Sequence, residues 1–390
     1  MKAAMRNTTP AAINPGVVFI PMTTNMIPIA MSAAGGAAFF RSSLMSHSFG
    51  LGGFLAREPS RWSQVHVRHA GSSLPDFLPA TCTTSPAHIR QSRTAPVFVR
   101  FAGQRSLSRP RVVAMAGTLI VLGTAQDGGN PQLGSRGRGR PRLVSSVAVV
   151  MDDGSTLLAD VSPDVKAQVA RLSEVEAYQA RSARNAVDHI TLTHGHMGHY
   201  TGLVQFGKEA HNADRIPTWV TPSMAAFLTA NEPWRSLVEG GHLDLRSGFG
   251  PVLLEPGLSL RLVPVPHRAE LTDTVGISIN DEVLFVPDID SWADWPDAQQ
   301  EVARHRVCLL DASFSSLDEI PGRDLGQIPH PLVSDTIERF GHLAADRRLI
   351  LTHLNHTNPV AEPDSEAAAV VRSAGFEVAE DLMEIHLDGN

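Results

Sequence analysis

The chain has 390 residues, 43% of them hydrophobic and 19% charged, with a formal net charge of -7. That length holds one large domain or two ordinary ones around a sizeable core. Residues 1–115 carry 12 Lys and Arg against only two acids, Glu58 and Asp76, so the rest of the chain is strongly acidic. An acidic body argues against a nucleic-acid partner, because phosphate backbones need basic surface. The two cysteines, Cys82 and Cys308, cannot build a disulfide framework or a cysteine zinc site. The body reads as an intracellular protein of a reducing compartment.

Residues 1–115 are rich in Ser, Ala, Arg and Pro, the composition of an organelle transit peptide. That reading places the protein in a mitochondrion or plastid; without targeting, it is cytoplasmic. The uncharged run between Arg6 and Arg41 is broken by Pro15, Pro21, Pro28 and Gly35-Gly36, so no membrane span is expected. Disorder, or a start at Met115, are the alternatives. The domain proper is taken as 116–390.

Thr118 to Thr124 reads as a strand closed by the turn Gln126-Asp127-Gly128-Gly129. Ser145 to Met151 and Thr156 to Asp160 form a hairpin across Asp152-Asp153-Gly154. Ser162-Pro163 predicts a helix from an N-cap serine to about Tyr178. His189 to Thr193 is a short strand, followed by a helix to about Ala210. Further strands are expected at Ser259–Val265, Val275–Ile279, Val283–Val286, Val307–Leu310 and Arg348–Thr352. Helices are expected near Pro222–Ala230, Pro296–His305, Val333–Phe340 and Asp364–Ala374. Mixed strands and helices with adjacent strand pairs indicate an α/β body rather than a regular parallel array.

His194, His196 and His199 follow a buried-type strand within the segment Thr193-His194-Gly195-His196-Met197-Gly198-His199. A strand end fixes the backbone while loop side chains converge. Imidazole suits zinc, iron and related ions. A catalytic site needs about three protein ligands and an open position. Solvent-exposed or hydrogen-bonded loop histidines are the plainer alternative, but a metal better explains three at this spacing.

The cluster resembles the His-x-His-x-Asp-His motif of the metallo-β-lactamase superfamily, with Gly198 where the motif has aspartate. His267, Asp288 and His353 each follow a strand in the order that the superfamily requires. The resemblance narrows with Gly123-Thr-Ala-Gln-Asp-Gly-Gly, Gly322-Arg-Asp, Ile328-Pro-His-Pro and His353-Leu-Asn-His-Thr-Asn-Pro. These are similar to the branch named for pyrroloquinoline-quinone (PQQ) synthesis protein B. It implies an αββα sandwich with a metal centre at one edge of two sheets. It implies one or two divalent ions held by His194, His196, His199, His267, Asp288 and His353. Zinc is the first expectation, with iron or manganese as alternatives. Gly198 removes one ligand of the second metal. The branch also often carries cysteines after its first glycine loop; the stretch from Gly134 to Arg142 has none, so no structural zinc is expected there.

Asp288, His330 and His356 are the catalytic candidates, the histidines as proton donors to a leaving group. His330 could equally be structural, and His356 could line the pocket or bind metal. Asp311 could orient a ligating imidazole or cap a turn. Asp127 reads first as a turn residue. Arg268 could meet an anionic substrate group or form a surface ion pair. Arg136, Arg138, Arg140 and Arg142 suggest a solvated loop or an anion guide. Trp234, Trp292 and Trp295 read as core or pocket wall. The expected function is metal-assisted hydrolysis of an ester, lactone, amide or phosphodiester of a small molecule. An iron-dependent oxidative step in PQQ synthesis and a non-catalytic binding role are the alternatives.

Overall fold

The computed structural model describes residues 116–254, 257–319 and 329–388. Residues 1–115, on which the transit-peptide reading falls, with Cys82 among them, and the Gly322-Arg323-Asp324 motif and Ile328 lie outside the described residues. Among the described residues, no helix is long and apolar enough to cross a membrane.

In chain order the strands are β1 (Gly117–Gly123), β2 (Ser146–Met151), β3 (Thr156–Ala159), β4 (His189–Thr191), β5 (Ile216–Val220), β6 (Leu243–Ser247) and β7 (Val252–Leu254). They continue as β8 (Leu258–Pro264), β9 (Val275–Ile279), β10 (Val283–Val286), β11 (Val307–Asp311), β12 (Arg348–Thr352), β13 (Glu377–Val378) and β14 (Glu384–Leu387). The helices are α1 (Val165–Leu172), α2 (Glu176–Gln179), α3 (Met197–Tyr200), α4 (Pro222–Ala230), α5 (Trp234–Glu239), α6 (Ala298–Arg304), α7 (Val333–Phe340) and α8 (Glu366–Ser373).

Two seven-stranded sheets result, ordered β14-β1-β2-β3-β4-β5-β6 and β13-β12-β11-β10-β9-β8-β7. The period-2 alternation of side chains decides their packing. Leu119, Val121, Val147 and Val149 of the first sheet face Ile277, Ile279, Phe285 and Leu309 of the second in one core. Their sequence neighbours Ile120, Leu122, Ala148 and Val150 point outward onto Val165, Leu172, Met224 and Leu228 of α1 and α4. Leu284, Val286, Leu310 and Leu351 likewise meet α6, α7 and α8 through Val302, Phe340 and Val371. Both faces of both sheets are therefore covered, which is the αββα sandwich. Each such buried side chain contributes about 1.5–3 kcal/mol.

Two elements depart from the sequence reading. The helix expected from Ser162 to Tyr178 starts with Asp164 as N-cap and stops at Leu172. The Ser162 hydroxyl instead accepts from the Asp164 amide and donates to Gln168 Oε1. Past Leu172 the amides of Glu174 and Val175 reach back only three residues, to Arg171 and Leu172, which tightens and ends the helix. The helix expected to reach Ala210 is a single turn, α3, continued by a 3-10 segment, Thr201–Phe206. The His199 carbonyl accepts from the Val161 amide at 2.8 Å, so the next helical bond is lost to the end of β3.

Strand direction sets where the chemistry lies. β3 and β4 run parallel, as do β10, β11 and β12. β1 joins the first direction through two antiparallel steps, and β8 joins the second in the same way. Polar residues just beyond the C-terminal ends of these strands therefore gather at one edge. Thr193 O to Val275 N, at 3.1 Å, ties the two sheets together there.

Candidate metal centre

His194, His196, His267 and Asp288 bring one ligand atom each to within 4.8 Å of one another. His267 Nε2 lies 3.1 Å from both Asp288 Oδ2 and His196 Nδ1. His194 Nε2 lies 3.4 Å from Asp288 Oδ2. A second group is Asp127, His199 and His353, and a third is Asp288, Asp311, His330 and His353. Asp288 links the groups: its Oδ2 is 3.9 Å from His199 Nε2 and its Oδ1 is 3.4 Å from His330 Nδ1. His356 joins none of the three groups and is half-buried.

The remaining ring nitrogens are fixed from behind. Asp160 Oδ2 accepts from His199 Nδ1 at 2.7 Å. The Thr193 hydroxyl donates to the same carboxylate, so its oxygen accepts from His194 Nδ1 at 3.0 Å. Asp311 and Ser313 repeat this device in the second sheet. The Ser313 hydroxyl donates to Asp311 Oδ1 and accepts from His353 Nδ1 at 3.0 Å. Asp290 Oδ1 stands 2.7 Å from His267 Nδ1. These partners place a proton on Nδ1 of His194, His199 and His353 and turn Nε2 inward. His196 is reversed: its Nδ1 faces the centre, and its Nε2 is 3.5 Å from the exposed Glu270.

The inward atoms have no other occupation. Nε2 of His194, His199 and His353, with Oδ1 of Asp127 and of Asp288, are buried without a hydrogen-bond partner. Orphaned buried polar atoms are rare and call for an explanation. Three ring nitrogens and two carboxylate oxygens, in adjoining groups that Asp288 links, fit divalent cations.

The electrostatics are consistent with that fit. Burial alone would raise the Asp288 carboxyl, but charge on His330 and the adjacent imidazoles of His194, His196 and His267 hold it well below its usual range. Burial, then the neighbouring His199, pushes His194 well down, and burial lowers His353. Burial opposes charge on His199, but Asp160 and Asp127 raise it well above the usual value. His330 is raised to about 9; burial opposes this, and the carboxylates of Asp311 and Asp288 outweigh it.

Asp127 was the hardest of these to see in the sequence, where a glycine-rich turn accounts for it. It does sit in that turn, with Gly129 N bonded to Gln126 O at 2.8 Å. Its carboxylate also enters the centre, 3.3 Å from His199 Nε2. A Cβ added at Gly198 would lie 2.1 Å from Asp127 Oδ1. Asp160, a strand end by its sequence, has a φ of 62°, unusual for a non-glycine residue, and its carboxylate lies under His199.

The other weighed residues separate clearly. Asp311 faces His330 Nδ1 directly at 2.8 Å and His353 through Ser313. Arg268 lies at the rim, 3.8 Å from Glu270 Oε1. Arg136, Arg138 and Arg140 are exposed, but Arg142 is buried and bonds Ala379 O, Ala361 O and Thr124 Oγ1, so it guides no anion. Trp292 and Trp295 are buried and stacked at 6.3 Å.

Residues 155–354 match the family described as "Beta-lactamase superfamily domain". The chain belongs to that family, and its two-sheet sandwich is the metallo-β-lactamase fold. Within it, the chain resembles the PQQ synthesis protein B branch. It is 26% identical over 310 residues to coenzyme PQQ synthesis protein B of Azotobacter vinelandii, covering 68% of this chain and 99% of that one. The protein of the same name from Azoarcus sp. is 27% identical over 310 residues, covering 68% and 99%. Among solved structures, Zn(2+)-bound PqqB from Methylobacterium extorquens has a TM-score of 0.58 at 24% identity, covering 69% of this chain and 100% of that one. A diphosphatase of the PhnP family has a TM-score of 0.53 at 21% identity, covering 70% and 98%. These two likenesses concern the fold.

Proposed function

We propose that the protein is a metal-dependent hydrolase of a small-molecule ester, lactone, amide or phosphodiester, with zinc as its first-choice ion. The observation that carries this reading is that orphaned Nε2 and carboxylate atoms belong to adjoining buried groups of metal-ligating side chains. His194, His196, His267 and Asp288 would hold one ion; His199 and His353, sharing Asp288, would contribute to a second. A divalent ion bound there supplies Lewis acidity and lowers the pKa of its water from 15.7 toward about 7.

The chain's own residues supply the rest. Asp160, Thr193, Asp311 and Ser313 keep the ligating imidazoles in one tautomer and orientation. His330 donates Nδ1–H to Asp311 and, raised to about 9, is charged at neutral pH. Its Nε2, which lies 3.4 Å from the Gln126 side-chain nitrogen, is then the position from which a proton can reach a leaving oxygen or nitrogen. A cavity of about 690 Å³ beside His330 and Asp290, walled by Trp292, has the size of a small-molecule site.

A role alongside PQQ synthesis is the second reading, favoured by similarity over 99% of that relative's length. The full chain, loaded with zinc, manganese or iron, separates the two in parallel assays. Turnover of a generic phosphodiester or ester with zinc, abolished by a chelator, supports hydrolysis. Activity confined to iron and an oxidisable substrate supports the second reading and overturns the first.

A further inference from the structure

We infer that Asp127 replaces the missing motif carboxylate at Gly198 and completes a second metal position with His199, His353 and Asp288. This rests on the metal-centre reading above and specifies its ligand set.

The substitution is visible as a matter of space. Gly198 is buried in the single turn α3. A Cβ there would stand 2.1 Å from Asp127 Oδ1, 2.8 Å from Asp127 Cα and 3.0 Å from its Cγ. Real Cβ atoms do not approach so closely, so the loop after β1 occupies the room that a side chain at 198 would take. What fills that room is a carboxylate, the same group the motif places on residue 198. The two positions therefore read as an exchange: the acid has moved to another strand end, and glycine makes way for it.

The orientation is also that of a ligand. Asp127, His199 and His353 each bring a ligand atom to within 4.8 Å of the others, and Asp127 Oδ1, His199 Nε2 and His353 Nε2 are buried without a hydrogen-bond partner. A carboxylate serving only its turn would bond backbone amides of that turn, and this oxygen bonds none. The loop is fixed against the His353 loop on both sides. Leu354 N donates to Thr124 O at 2.9 Å, and Gln126 N donates to Leu354 O at 3.0 Å. Asp127 and His353 therefore hold a set separation. Charge supports the assignment too. With Asp288 alone, two dications would face one carboxylate; Asp127 supplies the second.

Metal per chain is measured on the full-length protein by elemental analysis after zinc loading and desalting. Zinc affinity is measured by calorimetry. The wild-type chain is expected to bind two ions. Asp127→Asn keeps the shape of the side chain, and should retain one ion while weakening the second by roughly 100-fold or more, beyond the 10–100-fold typical of supporting groups. Two ions retained by Asp127→Asn at unchanged affinity would overturn the inference while leaving the hydrolase reading intact. One ion in the wild type would do the same. No ion in the wild type would overturn both. If Asp127→Asn does not fold, the exchange Asp127→Gly with Gly198→Asp carries the test. Two ions in the exchanged protein support the inference, and one overturns it.

Discussion

Asp160 Oδ2 lies 2.7 Å from His199 Nδ1, and both side chains are fully buried. The same carboxylate takes the amide and hydroxyl of Thr193, so one acid sets the ring of His199 directly and that of His194 through Thr193. Asp160→Asn keeps the volume but puts an amide, itself able to donate, beneath His199. Zinc affinity should fall about 10–100-fold. Unchanged affinity in a calorimetric titration would refute the orienting role.

His196→Ala removes the Nδ1 that lies 3.1 Å from His267 Nε2. The His196 side chain is 12% exposed, so its truncation opens onto water rather than leaving a dry void. Metal loading should drop strongly while the apo protein keeps its melting temperature. Full loading in the variant would show that His196 is not a ligand.

Metal uptake should weaken as pH falls. Before binding, His199 is held in its charged form by Asp160 and Asp127 against the opposing effect of burial. That form carries a proton on the nitrogen that faces the centre, and the proton must leave for the nitrogen to coordinate. Binding therefore releases protons, and acid drives the reverse. Because the charge change of His199 lies above the ordinary histidine value, titrations should show affinity rising with pH through that value and beyond it. Calorimetry in two buffers of different ionisation heat should detect the released proton; equal heats would contradict the assignment.

Gly198→Asp alone places a side chain in the space of Asp127. Overpacking of this kind costs about 1–3 kcal/mol, so the melting temperature should fall even without metal. An unchanged melt would mean that the loop after β1 yields freely.

Much of this was legible in the sequence. β9, β10, β12, α4 and α7 fall on the expected residues because apolar runs and turn residues bound them sharply. The order of His194, His267, Asp288 and His353, each after a strand, was equally clear. β5 was missed because Pro217 argues against a central strand. The structure tolerates it because β4 is short: it pairs with Thr218 and Trp219 and does not reach Pro217. β6 was missed because it is an edge strand whose Asp244 and Arg246 obscure the pattern. Asp127 was underweighted because a glycine-rich turn explains an aspartate locally. Its partner is Gly198, remote in sequence, and their relation exists only in space.

The central claim is that these inward-facing atoms hold catalytic metal. The most direct measurement is metal per chain in the purified protein by elemental analysis, paired with phosphodiester and ester turnover before and after chelation. The account predicts two bound divalent ions, loss of turnover when they are stripped, and recovery on zinc addition. A chain that carries no zinc, manganese or iron and takes up none when supplied would contradict it.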